Sequence, residues 1–361
     1  MPLVPSYIQK LANYVPGKPI DELQRETGIS NVIKLASNEN SLGPSPRAMA
    51  AMKLAMGSIY RYPDANGFLL RKKLAERFNV KKDNVVIGAG SEGIISTILR
   101  TFLLNEDEII TAKGSFIGFK VLANASGKKV HWVSMKNHHY DLEAMAEKIN
   151  DYTKLIYIAN PDNPMGTYIT REEFDSFYAH VPDRVLIILD EAYYEFAQST
   201  PDYPDSMSYR YDNVITLRSF SKAYGLAGAR IGYGFAHDTL IGNLMKVKVP
   251  FEPSYLSQVA GYAALDDTAF LNNTIELNKS SMDYMMKEIE KLNIQYVPSI
   301  TNFITTVWDS EDKAISITKR LLEKGVIVRH LTPFGWNNCI RISFGLKEEN
   351  QRFITAITEI L

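Results

Sequence analysis

Residues 214–234 read Val214-Ile215-Thr216-Leu217-Arg218-Ser219-Phe220-Ser221-Lys222-Ala223-Tyr224-Gly225-Leu226-Ala227-Gly228-Ala229-Arg230-Ile231-Gly232-Tyr233-Gly234. Val214 to Leu217 is a short apolar run of strand type, and Arg230 to Phe235 reads as a second strand. Between them stand two hydroxyls (Ser219, Ser221), Lys222, several small residues, and Arg230 eight positions after the lysine. A plain strand connection needs neither that density of glycine and serine nor two cations. The chemistry on offer is a phosphate site beside a buried amine. Ser219 can donate to a phosphate oxygen, and Arg230 can pair with two oxygens at once. Glycine and alanine let the backbone approach a flat ligand closely. Lys222 is then a candidate nucleophile toward a carbonyl cofactor. The competing reading, one more solvated lysine, is weighed by whether the rest of the chain supplies the other parts of the same site.

Working outward, apolar runs fall at 85–88, 108–112, 129–133, 154–159 and 185–190, with 214–219 and 230–235 completing seven candidate strands. Helical segments lie between the earlier ones, at about 91–104, 116–126, 141–150 and 170–180, the last with a capping box, Thr170-x-x-Glu173. Alternation of this kind, with continuous apolar strands, predicts an α/β fold: a mostly parallel seven-stranded sheet between helices, the direction of its last two strands open. Upstream, Ser45-Pro46 starts a helix that Gly57 closes, and Leu70, Leu74 and Phe78 share a face of the next. Beyond about Val249 helices dominate to about 292. Short strands near 294–297, 302–307, 326–328 and 340–344 follow, with helices at 311–324 and 347–361. The expected division is an irregular arm (1–35) joining a smaller α+β C-terminal domain (251–361), and a large domain at 36–250.

Composition narrows the class. Over 361 residues the formal net charge is −1 and 22% of residues are charged, so electrostatics offers no case for nucleic acid or an anionic membrane. One cysteine, Cys339, leaves no intrachain disulfide framework and suits a reducing compartment. No secretory signal and no apolar run of transmembrane length is visible, so the expected location is the cytoplasm. The six histidines, including His138-His139, show no metal-ligand spacing, and no metal is expected.

In an open α/β sheet, ligands bind outside the carboxyl ends of the strands. The run 85–88 ends in Gly88-Ala89-Gly90-Ser91-Glu92-Gly93, literally the dinucleotide pattern G-x-G-x-x-G. That signature also wants an acid at the end of the next strand. Here Glu106, Asp107 and Glu108 precede that strand and Ala112-Lys113 end it, so the turn reads as a phosphate cradle at a helix N-terminus. The run 154–159 ends in Ala159-Asn160-Pro161-Asp162-Asn163-Pro164-Met165-Gly166, whose prolines would hold the Asn163 amide rigidly; an ordinary Asn-Pro turn is the plain alternative. The run 185–189 ends in Asp190-Glu191-Ala192-Tyr193. A carboxylate there is costly to bury without a partner, and a protonated pyridine nitrogen would be one; an N-cap aspartate is the plain alternative. Phe116 could stack on a flat ring or be core.

Taken together and in this order, Asn160-Pro161-Asp162-Asn163-Pro164, Asp190-Glu191-Ala192-Tyr193 and Ser219-Phe220-Ser221-Lys222 with Arg230 resemble the fold-type I pyridoxal-phosphate aminotransferases over nearly the whole chain. Within them the chain is most similar to the histidinol-phosphate aminotransferase group. That likeness is carried by Tyr14-Val15-Pro16-Gly17-Lys18-Pro19, Leu35-Ala36-Ser37-Asn38-Glu39-Asn40, Arg61-Tyr62-Pro63-Asp64, Gly325-Val326-Ile327-Val328-Arg329 and Ile340-Arg341-Ile342-Ser343. Phe116 stands where many members have tyrosine, and Met165 and Ser41 replace the commoner threonine and proline. Aromatic aminotransferases share much of this pattern, and a phospho-amino-acid decarboxylase of the same fold is the other alternative activity.

The resemblance implies pyridoxal 5'-phosphate as cofactor, held by Lys222 as a Schiff base, with Lys222 later carrying the proton. Asp190 would pair with the ring nitrogen, Tyr193 and Asn163 would bond the ring oxygen, and Phe116 would stack. Ser219, Arg230 and the backbone of Gly90, Ser91 and Glu92 would take the phosphate. Tyr62 would reach the phosphate of a partner subunit, which makes a homodimer the expected assembly. Arg341 and Arg329 would read the substrate anion, with Tyr14 and Asn38 beside them.

Overall fold

The computed structural model describes residues 3–13, 17–209 and 211–361. Seven strands form the large sheet: β1 (Val85–Gly88), β2 (Glu108–Lys113), β3 (Lys129–Ser134), β4 (Thr153–Ala159), β5 (Leu186–Asp190), β6 (Val214–Ser219) and β7 (Gly232–Phe235). Their spatial order is β1-β7-β6-β5-β4-β2-β3. Only β7 runs antiparallel, to β1 on one side and β6 on the other. The two strands that flank the Lys222 loop are therefore neighbours folded back on each other, Ser219 lying opposite Gly232.

The continuous apolar strands are buried on both faces. Along β4, Leu155, Tyr157 and Ala159 join one apolar cluster with Ile94, Ile98 and Phe119, while Ile156 and Ile158 join another with Phe174 and Phe177. That alternation is the two-residue period of a strand with a helix layer on each side. The helices Gly90–Phe102 and Ile117–Ala125 lie on the first face, and Arg171–Tyr178 on the second. The expected capping box is formed: Thr170 Oγ1 accepts from the Glu173 N–H at 3.2 Å, and Glu173 Oε2 accepts from the Thr170 N–H at 2.8 Å. Ser45 caps Pro46–Ala55 in the same way, accepting from the Ala48 N–H at 3.2 Å. That helix does not end at Gly57 by a break; it tightens into a 3₁₀ turn over Met56–Ser58. The helix expected over 141–150 is shorter, Leu142–Ala146, because the next turn closes with i→i−3 bonds (Lys148 to Met145, Ile149 to Ala146).

A second sheet of four antiparallel strands follows: β8 (Gln295–Val297), β9 (Phe303–Val307), β10 (Arg329–His330) and β11 (Cys339–Ser343), in the order β10-β11-β9-β8. Its core unites Ile304, Ile340 and Ile342 with Ile317, Leu321, Phe353 and Ile357 of the helices Glu311–Glu323 and Lys347–Ile360. Ile33 and Leu35 share this core, and Ile33–Lys34 pairs in parallel with Val326–Ile327. The helix Tyr255–Ala264, by contrast, packs against Pro46–Ala55, and its Ala260 and Ala264 belong with Leu70, Leu74 and Tyr233 of the large sheet's side. Thr268–Lys291, 24 residues long, then carries the chain across to the smaller sheet, where Met285 and Ile289 are core. Among the described residues no helix is long and apolar enough to cross a membrane.

Candidate active site

The carboxyl ends of β1, β4, β5 and β6 converge on one pocket. Its walls include Gly90, Phe116, Asn163, Asp190, Tyr193 and Lys222, with Ser91, Glu92, Ser219 and Arg230 completing the same lining. The structure thus gathers ten of the residues that the motifs single out, from segments as far apart as Gly90 and Arg230.

Asp190 ends β5 almost wholly buried. Its Oδ2 accepts a hydrogen bond from the Tyr157 hydroxyl at 2.9 Å. Its Oδ1 is buried with no hydrogen-bond partner among the described residues. Burial in this apolar setting raises the carboxyl pKa to about 7, against the counteracting Tyr157 hydrogen bond. A buried acceptor of this kind normally has a partner, and a cationic N–H donor would fit it.

Lys222 lies nearby, partly buried. Its pKa is lowered to about 8, first by desolvation and then by Arg341, with Arg230 adding to the effect. Its Nζ has one long contact, 3.5 Å to the Ser37 carbonyl oxygen. An amine whose charge is disfavoured and which is held by one weak bond is disposed to act as a nucleophile or base.

Two more groups present hydrogen-bond donors to the pocket because their acceptors are already engaged. The Tyr193 hydroxyl accepts from Asn38 Nδ2 at 2.8 Å, which leaves its own hydrogen to give, and burial raises its pKa to about 12, so it stays protonated. The Asn163 Oδ1 accepts from Arg341 Nη1, which leaves the amide hydrogens to donate. Asn38 itself is buried at φ 55°, its N–H donating to Ser343 Oγ at 2.8 Å and its Oδ1 accepting from the same hydroxyl at 2.9 Å. Its placement is therefore beside Tyr193 and at the end of β11.

At the far wall, Gly90 (φ 73°) opens the helix Gly90–Phe102. An added Cβ there would lie 2.7 Å from Arg230 Nη2. Gly232 is as constrained, since a Cβ would fall 2.5 Å from both the Gly90 carbonyl carbon and the Ser91 nitrogen. Glycine at both points lets the helix N-terminus, the β6–β7 loop and Arg230 close on one small volume, the geometry of an anion cradle. Arg230 pairs here with Glu92 Oε2 at 3.1 Å, both half exposed, so its charge is countered by a side chain from the first turn of that helix. Ser219 Oγ accepts from the Ser221 N–H at 3.0 Å, and its hydrogen remains to donate.

Arg341 and Arg329 are directly opposite each other on β11 and β10. Arg341 Nη2 donates to the Ala36 carbonyl oxygen at 2.9 Å. The two guanidinium carbons lie 5.8 and 6.0 Å from the centre of the Phe334 ring. Like charges facing each other across a ladder are unfavourable unless an anion offsets them. Neither arginine is part of the pocket lining itself; Arg329 lines another groove with Leu11, Ile117 and Ile315. Tyr62 is outside the pocket too, 81% exposed and stacked on Phe251 at 4.5 Å. Tyr14 lies outside the described residues.

Two participants escape the motif reading. Tyr157 is fully buried, lines the pocket, and stacks face to face on Phe119 at 3.8 Å. A tyrosine inside an otherwise aliphatic strand was the available signal, because a buried phenol requires a partner. Asp162 is buried in the β4 loop, its Oδ1 accepting from Ser115 at 2.5 Å and its Oδ2 from the Met165 N–H at 3.0 Å. Desolvation raises its pKa to about 7. It shapes the turn that carries Asn163.

The family model "Aminotransferase class I and II" matches residues 30–357. The chain is 40% identical over 364 residues to a histidinol-phosphate aminotransferase of Anaeromyxobacter sp. (strain Fw109-5), covering 100% of both chains. It is 42% identical over 357 residues to that of Moorella thermoacetica, covering 98% of this chain and 92% of the relative. Among solved structures, the histidinol-phosphate aminotransferase from Sinorhizobium meliloti in complex with pyridoxal-5'-phosphate superposes with a TM-score of 0.90 at 28% identity, covering 100% of this chain and 99% of that one.

Proposed function

Because the chain belongs to the class I and II aminotransferase family, we propose that it is a pyridoxal 5'-phosphate-dependent aminotransferase that exchanges the amino group between L-histidinol phosphate and 2-oxoglutarate, yielding imidazole acetol phosphate and L-glutamate in histidine biosynthesis. The observation that carries the cofactor assignment is the pairing, in one pocket, of a buried carboxyl oxygen without a partner (Asp190 Oδ1) and a lysine with lowered pKa (Lys222). Relatives of that name at about 40% identity over their full length support the substrate.

The residues fit the cofactor part by part. Asp190 Oδ1 would accept the proton of the ring nitrogen. Tyr193 and Asn163 would donate to the ring oxygen, and Phe116 would cover the ring face. Gly90, Ser91 and Glu92 through their N–H groups, with Ser219 and Arg230, would take the phosphate. When bound, the cofactor supplies an aldehyde for the amino group and a ring that accepts the electron pair left on the substrate carbon. Lys222 Nζ, neutral in a good fraction near pH 8, would hold the cofactor at its aldehyde carbon and, when free, would take the proton from the substrate carbon and return it as general acid. Tyr193, oriented by Asn38, holds its hydroxyl proton throughout. Arg341 and Arg329, opposite each other on β11 and β10, are the anion readers, pairing with the substrate phosphate or with a carboxylate of glutamate.

The assembly is a homodimer in this reading. Leu54, Ile59, Tyr60, Tyr62 and Leu69 are each more than half exposed within one stretch of chain, an apolar surface that a second copy would cover, bringing Tyr62 to the neighbour's phosphate site. The cytoplasm is the expected compartment.

Steady-state rates with 2-oxoglutarate as acceptor test the proposal. Histidinol phosphate is expected to be the preferred donor over phenylalanine, with no decarboxylation of phosphothreonine. The Lys222→Ala protein is expected to lose both turnover and the reductively trapped cofactor. Wild-type turnover in Lys222→Ala, or a preference for phenylalanine, would overturn the assignment.

A further inference from the structure

We propose that Tyr157 is a positioning residue that sets where the ring-nitrogen proton resides; this rests on the cofactor reading above. Asp190 has two carboxyl oxygens in different situations. The Tyr157 hydroxyl occupies Oδ2 at 2.9 Å, and Oδ1 is left for the ligand. The phenol cannot wander, since its ring lies against Phe119 at an interplanar angle of 6° in a fully buried strand position. Tyr157 stands on β4, next to β5 in the sheet, opposite Ile188, and so two residues short of the Ala159–Asp190 pair. A rigid donor from the neighbouring strand therefore fixes the carboxylate's rotation and leaves one oxygen facing the pocket.

The same bond decides proton affinity. A hydrogen bond to the ionised carboxylate stabilises that form, so Asp190 binds a proton less tightly than burial alone would dictate. The groups facing Asp190 are Tyr157 and Tyr140 from one side, Tyr193 and Glu191 from its own loop, and Glu92 from the phosphate turn. Glu92 and Glu191 push its affinity upward, and the Ala192 N–H and Tyr157 oppose them. Of the two opponents only Tyr157 is a side chain, so only it can be removed by substitution. Without it the shared proton moves from the ring nitrogen to Asp190 Oδ1. The transfer is one proton between two atoms, with no change of electron count.

Two readouts test this without relying on turnover. In cofactor-free protein, carbon-13 NMR of the Asp190 carboxyl follows its titration. Tyr157→Phe, which keeps the stacked ring, is expected to move the midpoint up by about one unit, a tenfold gain in proton affinity. Site-specific 3-fluorotyrosine at position 157, a stronger donor of nearly the same shape, must move it down. In loaded protein, nitrogen-15 NMR of ring-labelled cofactor is expected to report a protonated nitrogen in wild type and a shift toward the unprotonated position in Tyr157→Phe, with Asp190→Asn as the unprotonated reference. Equal midpoints in the wild-type, phenylalanine and fluorotyrosine proteins, or an unshifted ring nitrogen in Tyr157→Phe, overturn the inference and leave the proposed function standing. Failure of wild type to bind the labelled cofactor would instead overturn the proposed function.

Discussion

Replacing Arg218 with methionine should cost about 3–5 kcal/mol of stability, the usual penalty for removing one member of a buried ion pair. Arg218 is wholly buried on β6. Its Nε and Nη2 bond Glu191 Oε2 at 2.9 and 2.8 Å, and Glu191 is itself 1% exposed. The guanidinium also lies 3.3 Å from the centre of the Tyr194 ring. Its second ion pair, to Asp205 at 2.8 Å, involves a partner 40% exposed and adds little. Methionine keeps most of the packing volume, so the loss comes mainly from leaving the Glu191 carboxyl buried without its cation. Glu191 must then fold protonated, with its folded pKa above its unfolded one. The variant binds more protons folded than unfolded, so its deficit should shrink as pH falls and grow as pH rises. Urea denaturation of cofactor-free wild-type, Arg218→Met, Glu191→Met and double-mutant protein at pH 5.5 and 8 measures this. The double mutant should be more stable than Arg218→Met alone, because neither member of the pair is then left buried without the other. A single-mutant cost below about 1 kcal/mol, or a double mutant as unstable as the sum of the singles, would refute the reasoning. The pair also matters to the site. Glu191 follows Asp190 and Arg218 precedes Ser219, so it ties together the strand ends that present both.

Three further outcomes are expected. Gly232→Ala places a Cβ 2.5 Å from backbone atoms of Gly90 and Ser91, which cannot yield without opening the cradle; fluorescence titration should show at least tenfold weaker cofactor binding, about 1.4 kcal/mol. Arg341→Gln removes the second-largest influence depressing Lys222, so the midpoint of cofactor capture against pH should rise above that of the wild type; a stopped-flow pH series measures it, and an unchanged or lower midpoint refutes the expectation. Glu108, bonded to Lys129, His131 and Asn150, has its pKa lowered from 4.5 to about 2, so its contribution to stability is complete above pH 4.5 and is lost as pH falls toward 2. Glu108→Gln should flatten acid denaturation across that window, measured by circular dichroism.

Much of the pocket was legible in the chain because of one geometric rule: where an apolar strand stops, its next residues face the ligand. Gly90, Asn163, Asp190, Ser219 and Lys222 all follow such stops, and residue type says which end of a planar, anionic cofactor each suits. The seven strands were equally readable, since burial on both faces leaves continuous apolar runs. Those runs carry no arrow, however. Gly232–Phe235 would look the same in either direction, and its antiparallel course is seen only in the folded sheet, where Ser219 lies opposite Gly232. Tyr157 against Asp190, Asn38 against Tyr193 and Ser343, and Arg341 against Asn163 join residues 33, 155, 305 and 178 positions apart. No local period encodes such pairs. The sequence by itself determined which groups could do the chemistry; tertiary packing alone decided which lone pairs and protons those groups have left to offer, because that depends on what buries them and what already occupies their other atoms.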